Sequence, residues 1–289
     1  MSNQSLEVMK SIIHKPKELL YLNILQKYKS CAKLNSYLNI TGKLENGYHE
    51  LSTHFQLIDL FDEIEFSKSK TFSLKSNTEL SQQNNSIYNA INWFNKKFNF
   101  DQNFKVSLRK NIPIGGGLGG GSSNCATTLK FLCEFHSISP SILDFNEICF
   151  DLGADVPIFL HGKSAFAEGC GHIFAKNYSH NSKYLLVVPD ISISTKELFR
   201  STELKMNPKI DKTQNSFYSI ITKENREFHD FIKLFCSKLP KNTQKKLKLS
   251  GTGSTLFIEN PIEDEIQLIM GKIENNFRVF QVKGLEYYH

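Results

Sequence analysis

The chain has 289 residues, of which 40% are apolar and 22% are charged, proportions typical of a soluble globular protein with one large or two medium domains. No stretch approaches the roughly 18 uninterrupted apolar residues of a membrane span, so we expect a cytoplasmic protein that has no membrane partner. The net charge of +6 permits an anionic partner, but the densest basic run, residues 238–248, lacks interleaved aromatic side chains, so we expect no nucleic-acid partner.

The cysteine pattern bears on metal and disulfide chemistry. The six cysteines form no CxxC pair, and no histidine stands at metal-finger spacing. We therefore expect reduced, buried thiols and neither a metal site nor a disulfide framework.

The first elements along the chain are an extension and a strand. Residues 1–30 are polar and weakly patterned, and Pro16 interrupts their helical tendency, so we treat them as an N-terminal extension of unknown role. From Cys31 apolar and polar residues alternate, which predicts a half-buried strand. Lys33 and Asn35 share the polar face of this strand.

The next elements are a turn, short strands and a helix. "NGYHE" predicts a turn, and "FDEIEFS" and "TFSLKS" predict strands. A helix is predicted over residues 86–98, because its apolar residues recur at helical spacing after Asn85 or Ser86 as the N-cap. "NFKVSLRK" predicts a further strand that runs directly into a glycine-rich stretch.

The elements after that stretch indicate the fold class. A helix is predicted from about Ser122, and a second from Ser141 to Gly153, with Asp144 in an approximate capping box. After residue 180 the sequence predicts a strand in "KYLLVVPD", a helix start in "STKELF" and an amphipathic stretch over 216–238. It then predicts a turn within "KLKLSGTGSTLFIEN", a helix over 261–274 and a strand in "FRVFQVKG". These elements follow no steady βαβ rhythm, so the α+β class with two layers fits better than a doubly wound sheet.

The glycine-rich stretch "NIPIGGGLGGGSSNCATTL", residues 111–129, is the strongest functional signal. Its six glycines expose backbone N–H groups at the start of a helix, whose dipole attracts anions, so we expect a phosphate site. Ser122 or Ser123 could cap the helix, contact a phosphate or bind a phosphate-bound Mg²⁺. The stretch is not a Walker A loop, which needs a lysine before the serine, and it lacks the context of a dinucleotide-binding fold.

Lys33 and Asp155 are candidate catalytic residues. Taken alone, each fits an ordinary role, a solvated lysine and the cap of a short helix. Phosphoryl transfer to an alcohol, however, needs a carboxylate that takes the hydroxyl proton and a cation that stabilises developing charge. A phosphate loop in the same chain therefore favours a catalytic role for both.

Four blocks, residues 32–51, 112–129, 152–171 and 249–259, together resemble the signature regions of the 4-diphosphocytidyl-2-C-methyl-D-erythritol kinases, a family of the GHMP kinase superfamily. "GGGLGGGSS" and "GYH" distinguish this family from mevalonate and homoserine kinases. The resemblance implies that ATP, with Mg²⁺, phosphorylates the 2-hydroxyl of a small-molecule substrate, cytidine diphosphate-linked methylerythritol, in the non-mevalonate route to isoprenoid precursors.

The resemblance also implies an α+β, two-domain GHMP kinase fold with an N-terminal ribosomal-S5-domain-2-like domain, a C-terminal ferredoxin-like domain and the active site in the cleft between them. We assign residues 31–165 to the ATP-binding domain and residues 166–289 to the substrate domain. The sequence leaves open whether the protein is a monomer or a homodimer.

The family's catalytic residues fall on two positions of this chain. The resemblance implies that Asp155 is the base that takes the hydroxyl proton, and that Lys33 holds and polarises that hydroxyl. A neighbouring ammonium also favours the ionised carboxylate that a base must be.

The resemblance implies that the glycine loop embraces the triphosphate, with Lys110 and Asn85 near the adenine. The implied loop residues are Pro113, Ile114, Gly115, Gly116, Gly117, Leu118, Gly119, Gly120, Gly121, Ser122 and Ser123. Residues 250–254, "SGTGS", resemble a further superfamily motif, a tight glycine turn that lies close to the ligand phosphates.

The acceptor site is implied by a second set of positions. Tyr48 and His49 match the family's cytidine site, where a stacked ring and an imidazole can recognise the base. Asn35 can reach the same ligand as Lys33, and Thr195 and Phe199 align with further substrate contacts.

Two alternatives stay open at the level of the sequence. Another GHMP small-molecule kinase would keep Asp155 and the loop but would have no use for a cytosine pocket at Tyr48 and His49. A non-catalytic nucleotide-binding regulator would keep the loop alone, and the presence of both Lys33 and Asp155 argues against it.

Overall fold

The computed structural model describes residues 26–179, 181–271 and 276–288. These residues form two compact units. The first unit contains residues 26–30, 62–110 and 121–160, and the second contains residues 31–61, 111–120 and 161–288. Within the described ranges, no helix combines the length and the apolar character needed to cross a membrane.

The described strands and helices have the following bounds. The strands are β1 (Gln26–Lys43), β2 (His49–Ser69), β3 (Ser73–Ser76), β4 (Asn103–Arg109), β5 (Ala165–Glu168), β6 (Ile173–Asn177), β7 (Lys183–Pro189), β8 (Lys248–Leu249), β9 (Leu256–Glu259) and β10 (Phe277–Leu285). The helices are α1 (Ser86–Phe98), α2 (Gly120–Phe135), α3 (Phe145–Asp151), α4 (Val156–His161), α5 (Thr195–Leu198), α6 (Tyr218–Glu224), α7 (Arg226–Ser237), α8 (Lys241–Lys246) and α9 (Glu263–Met270).

The first unit packs helices against a short run of strands in the order β3–β4–β2. The second half of β2 pairs with β4 in antiparallel register, and β3 pairs with β4 in parallel register. Alternate residues of β4 are buried, and the stacked rings of Phe66 and Phe131, with centroids 4.0 Å apart, lie in the core. Helix α1 adds its buried apolar face, and Asn85 caps it by accepting from the Tyr88 N–H.

The second unit is built on strands in the order β2–β10–β7–β9–β8, with β5 and β6 attached to the first half of β2. Strand β7 is antiparallel to both β10 and β9. Leu185 and Val187 belong to one apolar cluster, whereas Tyr184, Leu186 and Val188 belong to another. Because both faces of β7 are covered, its sequence is a continuous apolar run without alternation.

The α+β class is confirmed, and so are most of the predicted elements, including α1 with its predicted bounds and Asn85 as its cap. The predicted half-buried strand at Cys31 is wrong in two respects. The strand begins at Gln26, and both of its faces are buried from Ser30 to Asn35. The polar face is covered because glycine turns of the same unit pack on it.

Three other predicted elements need correction. The helix predicted from Ser141 is a short 3₁₀ turn followed by α3, because Asp144 itself is the N-cap of α3 and accepts from the Asn146 N–H. The stretch over 216–238 contains two helices, since Asn225 ends α6 and its side chain caps α7. The helix predicted over 261–274 is the shorter α9, and residues 272–274 of that prediction lie outside the described residues.

The compact units do not divide at residue 165. Residues 31–61 and 111–120 group with residues 161–288, because strands of these segments pair with one another and share apolar clusters. The assignment of an ATP-binding domain and a substrate domain therefore stays a prediction. The N-terminal extension, apart from residues 26–30, lies outside the described residues.

Candidate active site

Lys33 is the centre of a buried polar cluster in the second unit. Its residue is 2% exposed, and its Nζ donates to Asn35 Oδ1 at 2.7 Å. The bond forms because residues two apart in a strand lie on the same face. The ring of Phe55 lies 5.6 Å from the ammonium, at the distance of a cation–π contact. The lysine is thus oriented by protein groups rather than solvated.

The glycine turn at residues 250–253 covers this cluster. A Cβ on Gly251 would lie 3.0 Å from Asn35 Oδ1 and 3.2 Å from Lys33 Nζ, and the φ of Gly251 is +56°. Asn215 fixes the turn, since its amide donates to the carbonyl oxygens of Leu249 and Gly251. A glycine is therefore required at position 251 because the turn approaches the lysine so closely.

The middle of the glycine loop packs against the same turn. A Cβ on Gly117 would lie 2.6 Å from the carbonyl oxygen of Ser250 and 2.7 Å from that of Gly253, at a φ of +73°. The next residue, Leu118, accepts a hydrogen bond from the backbone N–H of Lys33. Gly117 is thus needed for close contact with the protein's own backbone, whereas Gly115 is exposed.

The start of α2 carries a second buried polar cluster, which lies in the first unit. Asp62 is completely buried, and its carboxylate pairs with the ammonium of Lys110 and accepts from Asn124 Nδ2 at 3.0 Å. Asn124 Nδ2 also donates to Ser30 Oγ, which in turn donates to Ser123 Oγ at 2.7 Å. The hydroxyl of Ser123 therefore belongs to the interior network that anchors the helix.

Ser122 and Gly121 differ from Ser123 in their exposure. Gly121 is exposed and Ser122 is partly exposed, so the open side of the helix start is lined by these two residues. Ser122 Oγ lies 4.0 Å from the position of a Cβ on Gly153, which is two residues before Asp155. Asp155 is partly exposed and stands immediately before α4. The first unit thus holds both the helix start and the candidate base.

The two residues predicted near the adenine have interior or capping partners. The side chain of Lys110 is 6% exposed and pairs with Asp62. Asn85 caps α1, and its Nδ2 donates to the carbonyl oxygens of Ser81 and Gln82. Their proximity to an adenine stays a prediction.

Two predicted acceptor residues, His49 and Phe199, meet in the second unit. Their ring centroids lie 5.3 Å apart, and Phe199 in turn contacts Phe217. Burial lowers the pKa of His49, and the charge of Lys43 lowers this pKa further, so both favour the neutral imidazole. Tyr48 stands beside His49 with 46% of its surface exposed.

Thr195, another predicted acceptor residue, lies beside the glycine turn. Its Oγ1 lies 2.9 Å from Thr252 Oγ1, which places it against the glycine turn that covers Lys33. The roles of Thr195, Tyr48, His49 and Phe199 toward a ligand stay predictions.

Asn35 Nδ2 also donates to the buried hydroxyl of Thr53 at 2.8 Å. Five polar residues of these clusters were not predicted from the sequence: Ser30, Thr53, Asp62, Asn124 and Asn215. Apart from Asn124, each is a polar residue whose position gives no sign of burial at the level of the sequence. Asn124 carried the only usable signal, since it follows the two serines at the start of a helix.

Comparisons with known proteins find similar sequences over most of the chain. Residues 85–163 match the model of the GHMP kinases N terminal domain. The chain is 38% identical over 274 residues to the 4-diphosphocytidyl-2-C-methyl-D-erythritol kinase of Francisella tularensis subsp. holarctica, covering 91% of this chain and 97% of the relative. It is 34% identical over 283 residues to the kinase of the same name from Colwellia psychrerythraea, covering 92% of each.

A solved structure shows the same fold. The crystal structure of a 4-(cytidine 5'-diphospho)-2C-methyl-D-erythritol kinase aligns with a TM-score of 0.68 and 23% sequence identity, covering 90% of this chain and 100% of that chain. The likeness extends over nearly the full length of both chains, so it concerns the whole fold.

Proposed function

The chain belongs to the family of 4-diphosphocytidyl-2-C-methyl-D-erythritol kinases, and from this premise we propose that it transfers a phosphoryl group from ATP to the 2-hydroxyl of 4-diphosphocytidyl-2-C-methyl-D-erythritol. The products are the 2-phosphate and ADP, in the non-mevalonate route to isoprenoid precursors. The observation that carries the proposal is the buried, oriented Lys33 beneath two glycine segments of the kinds that bind phosphate.

The two catalytic residues have complementary tasks in this proposal. Asp155 takes the proton of the 2-hydroxyl, because an alcohol is a weak nucleophile until a base removes its proton. Lys33 donates to the same oxygen and stabilises the negative charge that develops on it. Partial exposure leaves Asp155 accessible to a bound acceptor, and Asn35 supports the direction of the Lys33 side chain.

The start of α2 fits a triphosphate with Mg²⁺. Among the described residues, a Cβ on Gly121 would have only Ser86 Oγ near it, at 3.9 Å, so this backbone is open to a ligand. The helix dipole and the N–H groups of its first turn favour phosphate oxygens there. Ser122 would hold the Mg²⁺, which neutralises phosphate charge when bound, whereas the hydroxyl of Ser123 is committed to Ser30.

The cytosine would be recognised by Tyr48 and His49. The exposed ring of Tyr48 offers a stacking surface, and the neutral imidazole of His49 carries one donor and one acceptor nitrogen. Phe199 supports the imidazole from one side.

The proposal includes a cytoplasmic location, where ATP is abundant. Each of the six cysteines is a free thiol, and five of them are buried. Free thiols persist in a reducing compartment.

The test is an assay of ADP release and of the phosphorylated product with MgATP and the cytidine diphosphate-linked acceptor. Asp155→Asn should lower kcat by about 10²- to 10⁴-fold, because the general base is lost. Asp151→Asn is a matched control, since Asp151 is exposed and its carboxylate accepts only from Trp93 Nε1 among the residues that the structure describes. No turnover by the folded wild type would refute the kinase proposal, and full activity of Asp155→Asn would refute the assigned base.

A second variant tests the acceptor site. His49→Ala should raise the KM of the acceptor by about tenfold, the value of one hydrogen bond, and should leave the KM of ATP unchanged. An equal rise of both constants would mean that the cytosine binds elsewhere.

A further inference from the structure

A chain of hydrogen bonds runs from the backbone of β1 through Thr53 and Asn35 to Lys33. Thr53 Oγ1 donates to the carbonyl oxygen of Tyr37 at 2.6 Å, Asn35 Nδ2 donates to Thr53 Oγ1 at 2.8 Å, and Lys33 Nζ donates to Asn35 Oδ1 at 2.7 Å. Thr53 is fully buried and Asn35 is 1% exposed. All members lie in the second unit.

The donor directions in this chain are fixed. A carbonyl oxygen only accepts, so the single proton of the Thr53 hydroxyl goes to Tyr37. The hydroxyl oxygen can then only accept from Asn35, which must present its NH₂ end to Thr53. The carbonyl end of the amide consequently faces Lys33. A flipped amide would set two acceptors against each other at Thr53 and two donors against each other at Lys33.

The backbone around Thr53 supports this order. Thr53 pairs with Ala167 of β5, so its Cα is held in the sheet. On the other side, the backbone N–H of Asn35 donates to Ser250 Oγ, which belongs to the glycine turn. The side-chain amide of Asn35 is thus held at its oxygen by Lys33 and at its nitrogen by Thr53, and the backbone N–H of the same residue is held by Ser250.

From this geometry we infer that Thr53 is a positioning residue for Lys33 and acts through the side-chain amide of Asn35. The inference rests on the proposed function for the catalytic role of Lys33. An ammonium on a flexible stem has many rotamers, and a fixed acceptor limits them to the one that points at the reacting hydroxyl. Asn35 is predicted from the sequence to contact the substrate. In this inference it also orients the ammonium of Lys33.

The test compares two substitutions of Thr53. Thr53→Val keeps the shape but removes the hydroxyl, and it should lower kcat by about 10- to 100-fold while both KM values stay within twofold. Thr53→Ser keeps the hydroxyl and should retain kcat within about twofold. A merely structural role would lower the Tm of both variants in proportion to their lost packing and would not separate kcat from KM.

Thr127→Val provides the matched control. Thr127 is also buried, but its hydroxyl has no hydrogen-bond partner among the described residues. Its substitution by valine should leave kcat unchanged. A kcat of Thr53→Val equal to that of Thr127→Val would overturn the inference. If Thr53→Val does not fold, Thr53→Cys replaces it, because a thiol of similar size is a weak acceptor and should lower kcat in the same direction.

A double-mutant cycle tests the route through Asn35. If Thr53 acts only through this amide, Thr53→Val should add nothing to the loss in kcat of Asn35→Ala. Additive losses would overturn the inference.

A measurement without turnover separates this inference from the proposed function. The side-chain amide resonances of Asn35 in the NMR spectrum, assigned by their loss in Asn35→Ala, should shift in Thr53→Val and stay in place in Thr53→Ser. Absence of turnover in the wild type would refute the kinase proposal alone, whereas unchanged Asn35 resonances in Thr53→Val would refute the positioning role.

Discussion

Lys33 in the second unit and Lys110 in the first both have buried ammonium groups, but their hydrogen-bond partners differ in kind. Lys33 donates to the amide oxygen of Asn35, whereas Lys110 pairs with the carboxylate of Asp62 and donates to Asn124 Oδ1. An amide has one donor end and one acceptor end, so it sets a direction. A carboxylate compensates charge, which a buried ammonium needs for stability.

This difference assigns the two clusters to different tasks. The Asp62 cluster also holds Ser30, Asn124 and Ser123, and it therefore anchors the start of α2 in the first unit. The Asn35 cluster lies under the glycine turn and orients a side chain that acts on the acceptor in our proposal. Damage to the first cluster should appear chiefly as lost stability, and damage to the second chiefly as lost turnover.

The largest expected effect is a loss of folding stability when the Asp62 cluster is disrupted. Asp62→Asn leaves the Lys110 ammonium buried without its carboxylate and should lower the free energy of unfolding by about 3–5 kcal/mol. Urea denaturation measures this loss. Glu147→Gln, which breaks the partly exposed pair with Lys97, should cost less than about 1 kcal/mol. A loss for Asp62→Asn as small as that of the control would remove the distinction between the two lysines.

The next effect contrasts two glycines of the loop, one in each unit. Gly117→Ala places a Cβ against two carbonyl oxygens at a positive φ and should destabilise the protein by about 1–3 kcal/mol. Gly121→Ala lies in α2 with open space around its Cβ, so it should stabilise the fold by about 0.5–1 kcal/mol.

Nucleotide binding provides a second measurement on the same two variants, because the variant that stabilises the fold, Gly121→Ala, is the one expected to weaken ATP binding. Gly121→Ala should raise the KM of ATP, because the added methyl group stands where the triphosphate lies in our proposal. Thermal unfolding and initial rates on the same samples measure both properties. An unchanged KM for ATP would show that the triphosphate does not contact residue 121.

Sequence patterns revealed those parts of the fold that local chemistry decides. Helix α1, its Asn85 cap and the glycine loop before α2 follow from spacing within a few residues. The family resemblance added Lys33 and Asp155 as candidates. Neither the local patterns nor the family resemblance required knowledge of contacts between residues distant in sequence.

The buried environment of these residues depends on partners far away in sequence. The side chain of Ser250, which bonds to the backbone of Asn35, is 215 residues away, and Asp62 is 48 residues from Lys110. A strand with a polar face predicts exposure to water unless the covering segment is known. Burial of Lys33, Thr53 and Asp62 was therefore out of reach of pattern analysis.

The comparison of the units extends to their histidines. His136 in the first unit stacks on Phe100, with centroids 3.8 Å apart, and burial lowers its pKa to about 4, with Lys68 adding to the shift. The unfolded chain takes up this proton near its ordinary pKa of about 6.5, so stability should fall as the pH decreases from about 6.5 to about 4. His136→Phe keeps the stacking and removes the titration. At pH 5.5 the variant should gain about 1 kcal/mol relative to the wild type, compared with their difference at pH 7.5.

The control for His136 is a comparison of wild type and His136→Phe over the same range of pH. Other histidines and carboxylates contribute equally to both proteins, so only the difference between the two unfolding curves reports on this residue. A difference that is constant between pH 7.5 and pH 5 would show that His136 is protonated as readily in the folded protein as in the unfolded chain.

The smallest effect concerns His49 in the second unit, where the lowered pKa should affect acceptor binding in addition to folding. If the neutral imidazole accepts a hydrogen bond from the cytosine, the KM of the acceptor should rise by about 2- to 10-fold as the pH falls below the His49 pKa, because protonation removes the acceptor nitrogen. His49→Gln should flatten this dependence. Lys43→Met removes a charge that lowers this pKa, so the rise should begin at a higher pH. An acceptor KM with the same pH profile in the wild type and in His49→Gln would place the titrating group elsewhere and would separate His49 from base recognition.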